Sequence, residues 1–358
     1  MRKDNENVPL PIWTSDEPEV PAPAPFAPDQ MVRCEECLRA NPPTRVNCLY
    51  CAALLPRDEA IATLQKPALR PLEKWEQGYN NILLPPVANL SAANLAEAAD
   101  VLRLRPDDLS RILTAATCLP LARAATIDDA QLVERRLSLL GIDSIIMPDA
   151  EPEPDGSAMI KVRALELDES GIFAFQTPET PFIQVLWSDL VLMVVGRMII
   201  KRVELKERSR RTENSILDSS EFVTDESVAD FYAANQAIPY RIAANSFDFS
   251  CLGPNKGLLA GENMATLQQL FREHAAQAEY DDSFNSLRKT LEPVWPSNQQ
   301  TESGGWHRER PGKYSVDSIM ELSNEMQFSR YSRLRRYLQT NLAASAPTSH
   351  TLGEPGEN

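Results

Sequence analysis

Histidine occurs only three times in 358 residues, at His274, His307 and His350. Positions so far apart offer no ready pair for acid–base catalysis. A Gly-rich phosphate loop is also missing. Gly253-Pro-Asn-Lys256-Gly lacks the length and the following Ser or Thr. Neither a G-x-S-x-G elbow nor an H-E-x-x-H helix occurs. The expectation is a protein with no catalytic residue, and so not an enzyme. Long apolar runs are absent too. The most apolar stretch, Leu190–Val195, is closed by Gly196 and Arg197, far short of the ~20 residues that cross a bilayer. Met1–Asn7 is charged and polar with no apolar run behind it, so no secretory leader is read and a cytoplasmic location is expected.

What the chain has in excess is negative charge and proline. The formal net charge is −15, a field that repels nucleic acid and anionic lipid over the surface as a whole. The 28 prolines gather at the ends and in connecting stretches, where they interrupt regular elements. Hydrophobic residues make up 43%, enough for real cores.

The order of textures along the chain predicts a multi-domain α+β protein. Residues 1–30 read as a disordered Pro-rich acidic arm, 31–57 as a cysteine module and 58–90 as a linker. Within 91–150, Leu95, Ala98, Ala99 and Leu102 mark one helix, and Pro106 with Leu109, Ile112 and Leu113 a second. A β-α-β segment follows, with its helix over Asp128–Leu140 and Gly141 as the stop. Residues 158–296 read as a strand-rich α+β unit closed by a helix over Asn263–Gln277, with a charged loop over about 207–228. A linker is expected at 297–312, an amphipathic helix at 313–340 and a disordered tail at 341–358.

Leu95–Leu113 can also be laid on a helix-turn-helix. Its recognition helix, however, begins Pro106-Asp107-Asp108, which aims carboxylates at phosphates. Two short helices packed on a core is the reading adopted. Cys118 and Cys251 lie next to apolar residues and are read as inert core thiols. Asp281-Asp282 is read as a loop or a helix cap.

The strongest signal is four of the six cysteines inside one short window. Cys34-Glu-Glu-Cys37 and Cys48-Leu-Tyr-Cys51 are two C-x-x-C knuckles separated by ten residues. A C-x-x-C turn aims two thiolates at one point, and two such turns supply the four soft ligands of a tetrahedral zinc ion. Four thiolates close the shell, so the site is expected to be structural and to hold one ion. Metal ligation must then supply most of the folding free energy of so small a module.

This spacing resembles the short bacterial zinc ribbon, in which a small-residue and Leu-Pro stretch follows the second knuckle, here Ala52-Ala53-Leu54-Leu55-Pro56. It also resembles the Ran-binding-protein zinc finger, whose Asn four residues after the second Cys is matched by Asn41. Pro42 stands where the RNA-binding members of that family carry an aromatic, Arg45 is the one member of their arginine pair, and Val32 stands for their tryptophan. Stacking on bases needs an aromatic platform, and only Tyr50 is on offer. Arg45 and Tyr50 are therefore candidate contacts to a partner that is expected to be protein. The β-α-β residues Leu119-Pro-Leu-Ala-Arg-Ala, Ala130-Gln-Leu-Val-Glu-Arg-Arg-Leu and Leu140-Gly-Ile-Asp-Ser-Ile-Ile resemble a ferredoxin-like domain of bacterial signal-transducing proteins.

In the C-terminal helix, Arg333, Arg335 and Arg336 are candidate contacts to an acidic partner or an anionic surface. The competing reading lays that helix on its own domain with charged ends. Together these features predict a non-enzymatic zinc protein that acts in protein–protein interaction or as a regulatory scaffold. A nucleic-acid-binding regulator is the next reading, and an enzyme with a site inside 91–296 the third.

Overall fold

A computed structural model of the chain describes residues 31–43, 45, 47–53, 55–56, 67–73, 76–87, 90–149, 159–177, 181–210, 213–236, 238–310 and 313–343. The acidic arm expected over 1–30, residues 58–66 of the expected linker and residues 344–358 of the tail expected over 341–358 lie outside them, while 341–343 are the end of the C-terminal helix rather than tail. The chain divides into two compact units, Met1–Lys66 and Pro67–Asn358.

In the first unit, β1 (Val32–Arg33) pairs antiparallel with β2 (Ala40–Asn41). Its buried apolar cluster is Val32, Cys34, Cys48 and Leu55. Half of that cluster is cysteine, so among the described residues the module has little apolar core apart from its thiols.

The second unit is α+β. It opens with β3 (Tyr79–Leu83), α1 (Ala92–Leu102), α2 (Pro106–Thr114), β4 (Pro120–Ala124), α3 (Ile127–Leu139) and β5 (Ser144–Pro148). The two expected helices and the expected β-α-β are all present. Ser91 caps α1 by accepting the Asn94 N–H at 3.1 Å, and Thr126 caps α3 by accepting the Asp129 N–H at 3.1 Å. Arg103, at φ 55°, turns the chain out of α1, and Gly141, at φ 82°, out of the segment after α3. The carboxylate of Asp108 is held by Arg105, just ahead of its helix, and by Arg111 one turn on, which leaves it as a structural group.

The sheet order is β4-β3-β5. β3 is antiparallel to both neighbours and separates the two strands that α3 connects. This corrects the linker expected over 58–90, because the central strand of the sheet lies inside it. The reason it reads as linker is chemical. Asn80 and Asn81 are fully buried. Both amide nitrogens find acceptors in the fold and the Asn80 oxygen finds a donor, while Asn81 Oδ1 has no partner among the described residues. Asn80 Nδ2 donates to Asp149 Oδ1 at 2.9 Å and Asn81 Nδ2 to the Ala130 carbonyl at 2.9 Å. Trp295 Nε1 donates to Asn80 Oδ1 at 2.9 Å. A polar pair in a five-residue strand hides its β character from an apolar pattern.

The chain continues through β6 (Ile160–Val162), β7 (Ala164–Leu167), β8 (Gly171–Phe175), β9 (Ile183–Leu186), β10 (Leu190–Arg210), β11 (Glu213–Ala233) and β12 (Tyr240–Ala243). Then come α4 (Ala260–His274), β13 (Glu279–Asp281), α5 (Phe284–Leu291), β14 (Asn298–Arg310), β15 (Lys313–Ser323) and α6 (Glu325–Ala343). β7, β8 and β9 form a small sheet. The large one runs β14-β15-β10-β11-β12-β6, with β13 parallel to β10.

Three further expectations are corrected here. The charged loop near 207–228 is mostly strand, because β10 and β11 pair as one long hairpin from Leu190↔Ala233 to Arg210↔Glu213. The linker at 297–312 is β14, a polar strand whose ladder to β15 satisfies its backbone. The first third of the helix expected at 313–340 is β15, paired with β10 from Ile200↔Ser323 to Ser209↔Tyr314. The amphipathic helix itself is α6. Asn324 marks the junction by accepting the Ile199 N–H at 2.7 Å and donating to the Arg197 carbonyl at 3.0 Å.

One core joins the segments expected as separate domains over 91–150 and 158–296. It runs from Ile82, Leu109, Leu121 and Val133 to Val194, Phe284, Trp295, Phe328 and Leu334. A second core lies under α4, where Met264, Leu267 and Phe271 pack with Trp187 and Phe231. This is the helix expected to close the strand-rich segment. Among the described residues, no helix is long and apolar enough to cross a membrane.

Candidate metal centre

The two knuckles of the first unit are built alike. The Cys34 carbonyl accepts the Leu38 N–H at 2.9 Å, and the Cys48 carbonyl accepts the Ala52 N–H at 3.0 Å. Cys34 N–H donates to the Arg39 carbonyl at 3.0 Å, and Cys48 N–H to the Ala53 carbonyl at 2.8 Å. The residue after each second cysteine is left-handed, Leu38 at φ 58° and Ala52 at φ 60°. That reversal curls each loop back over its own sulfurs.

The result brings together the four cysteines picked out by spacing. Their sulfurs all lie within 4.8 Å of one another. Cys34 Sγ is 3.6 Å from Cys51 Sγ, and Cys37 Sγ is 3.4 Å from Cys48 Sγ. Both distances run between the knuckles. A tetrahedral ion with bonds of ~2.3 Å needs sulfurs about 3.8 Å apart, so this set fits such an ion with little adjustment. The four residues can hold a metal ion, and every coordination position would come from the chain.

Asn41 supports the site from β2. It is fully buried. Its Nδ2 donates to the Arg39 carbonyl at 2.9 Å and reaches Cys48 Sγ at 3.5 Å, while its Oδ1 accepts the Leu49 N–H at 2.8 Å. One side chain thereby ties the first knuckle's exit to the second knuckle's entry. The Tyr50 N–H also points at Cys48 Sγ, at 3.4 Å. Burial pushes the Cys48 thiol up, but the N–H groups of Tyr50 and Cys51 and the neighbouring Cys37 outweigh it and bring the thiol down to about 6. At Cys51 the Ala53 N–H acts downward, while burial and the other three sulfurs raise the thiol to about 12. Four sulfurs at this distance cannot all carry charge unless a cation sits among them.

Of the other expected residues, Tyr50 stands at the tip of the second knuckle, 56% exposed. The Arg39 guanidinium covers one face of its ring, 4.6 Å from the centroid. Arg45 is exposed on the same unit. Leu38, directly after the first knuckle, and Leu49, inside the second, are also exposed, and the spacing argument passed over both.

Two of the expected arginines of α6, Arg335 and Arg336, are engaged within their own unit. Arg335 ion-pairs with Glu279 and with Asp281, the latter at 2.6 Å. Arg336 donates to the Ala233 and Ala234 carbonyls at 3.0 Å each. Arg333 is half-buried on the same helix. The competing reading, a helix laid on its own domain, holds for Arg335 and Arg336, because their partners lie on β13 and at the end of β11. Asp281, expected in a loop or as a helix cap, is instead the buried last residue of β13, where it accepts the Ser283 N–H at 2.8 Å and the Tyr331 hydroxyl at 2.8 Å. Cys118 and Cys251 are half-buried thiols that burial pushes up, Cys251 to about 11, in keeping with inert groups.

Comparison with known protein families, with curated proteins and with solved structures finds no match to this chain.

Proposed function

We propose that the four-cysteine unit is a structural zinc ribbon and that the chain is a non-enzymatic interaction or scaffold protein working in the cytoplasm. The observation that carries this reading is the convergence of all four sulfurs within 4.8 Å. Zinc is the ion suited to four thiolates in a closed tetrahedral shell. A closed shell leaves no position for water or substrate, so the ion's work is to fold the module.

A partner protein is supported by what the folded module presents. Leu38, Leu49 and Tyr50 are exposed at 67%, 51% and 56%. They stand on the two loops that the metal would make rigid. Aromatic and aliphatic anchors on a rigid frame suit a protein groove. RNA would need aromatic stacking platforms, and one face of the Tyr50 ring is already taken by Arg39.

The test uses the full chain loaded with zinc. X-ray absorption at the zinc edge is expected to show four sulfur neighbours at about 2.3 Å. Chemical cross-linking in cell extract is expected to give a discrete protein adduct, lost in a Leu49→Ser, Tyr50→Ser variant that keeps its zinc. An adduct that survives those changes removes the knuckle tip from the account. Mixed oxygen or nitrogen ligation contradicts the structural site.

A further inference from the structure

A cleft of about 700 Å³ opens in the second unit, between the C-terminal end of α1, strand β4, the segment after α5 and helix α6. Its volume lies within the range of small-molecule sites, about 300–1,000 Å³. The charge of its wall is the reverse of the chain's. The protein carries −15 overall, yet the wall holds Arg70, Arg103, Arg123 and Arg330 against a single carboxylate, Glu73. The rest of the wall is largely apolar, with Leu72, Leu104, Val294 and Met326 among its members.

Three of the four arginines have partners. Arg70 holds Glu76, at 2.7 Å from one nitrogen and 2.5 Å from the other. Arg103 donates to the Leu69 carbonyl. Arg123 is bound to Asp149 at 3.0 Å and to the Glu76 carbonyl at 2.7 Å. Arg330, half-buried on α6, has no hydrogen bond and no ion pair among the described residues. Its surroundings hold the charge at a disadvantage. Burial first, and then the nearby Arg123 cation, outweigh the attraction of Asp149 and bring it down to about 10. The nearby carboxylate of Asp149 is already bound by Arg123, so the half-buried Arg330 guanidinium has no acid group of its own, and a ligand acid that takes both arms of its fork would supply one.

We infer that this cleft binds a small organic anion, with its carboxylate, phosphate or sulfonate group on Arg330 and its apolar body against the leucine and valine wall. Arg103 and Arg70, at the exposed side of the cleft, add attraction at the mouth. The site lies wholly in the second unit and is independent of the metal centre.

Two dyes with one ring system test it on the full chain. Anilinonaphthalene sulfonate carries the anion, and N-phenylnaphthylamine does not. The sulfonate is expected to saturate at one per chain. Arg330→Met is expected to weaken it at least tenfold, with the neutral dye weaker on the native chain and indifferent to the change. Octyl phosphate or octanoate displaces the sulfonate, whereas inorganic phosphate at the same concentration does not.

Sulfonate binding within twofold of native in Arg330→Met overturns the inference, as does equal affinity for the two dyes. Displacement by inorganic phosphate alone overturns the apolar half. Should Arg330→Met fail to melt cooperatively, Arg103→Glu, at an exposed position, replaces it. A loss of at least fivefold supports the cleft, and an unchanged affinity overturns it.

Discussion

Leu38 and Ala52 occupy the same left-handed backbone conformation, φ 58° and 60°, each directly after the second cysteine of its knuckle. Side chains other than glycine's pay about 1–2 kcal/mol to sit there. The strain recurs because the geometry that converges the sulfurs requires it. Ala52→Gly is therefore expected to favour the loaded ribbon by about 0.5–1 kcal/mol, net of the extra freedom glycine gains when unfolded. Competition with a chromogenic chelator should show a two- to fivefold gain in metal retention. Ala52→Val should show a loss.

Asn41 gives the second prediction. Its amide reaches the Cys48 sulfur and the backbone on both sides of the site. Groups that orient metal ligands in this way typically contribute 10–100-fold in affinity. Asn41→Ala should lose metal to the same chelator about tenfold more readily, while the thermal melt of the second unit stays in place.

The third prediction concerns the second unit's buried polar joint. Asn80 receives the Trp295 N–H and donates to Asp149, all within a fully buried setting around Asn80 and Trp295. Asn80→Ala leaves the indole donor without its partner and opens a small void. Urea unfolding is expected to register a loss of about 2–4 kcal/mol. A loss below 0.5 kcal/mol would show that the joint is not needed.

Gly196, in the middle of β10, is the fourth. A Cβ there would meet the Phe328 ring at 2.7 Å and the Phe284 ring at 2.8 Å. Both rings are fully buried and cannot retreat easily. Gly196→Ala should destabilise the unit by about 1–3 kcal/mol, read from the same urea curves.

Acid stability supplies the fifth. The Arg70 guanidinium first, and then the Glu73 N–H, hold the Glu76 carboxyl down at about 2, against an ordinary value of ~4.3. Its folded value is depressed, so its stabilisation is fully present above pH ~4.3 and fades as the pH falls towards 2. Native protein and Glu76→Gln should differ in urea midpoint at pH 6, differ less at pH 3 and converge near pH 2. A constant difference across that window would mean that Arg70 does not hold the carboxylate.

The metal site was legible because spacing alone brings two C-x-x-C turns together, and no distant contact is needed to find it. Helix α3 was legible for a similar reason. Its apolar stripe, Ala130, Leu132, Val133 and Leu137, is the face it buries. Strand β3 was hidden by Asn80 and Asn81, whose burial depends on partners 49 to 215 residues away. Strands β14 and β15 were hidden because their pairing, not their composition, holds them. The arginines of the cleft sit at positions 70, 103, 123 and 330, and nothing local links them before the chain folds.

The most direct measurement is elemental analysis of the full chain, purified under reducing conditions, beside a Cys48→Ser, Cys51→Ser variant. The account predicts one zinc per native chain and none in the variant, with both showing the same cooperative melt of the second unit. Native protein without zinc, or a variant that keeps it, would contradict the claim that Cys34, Cys37, Cys48 and Cys51 hold a structural ion.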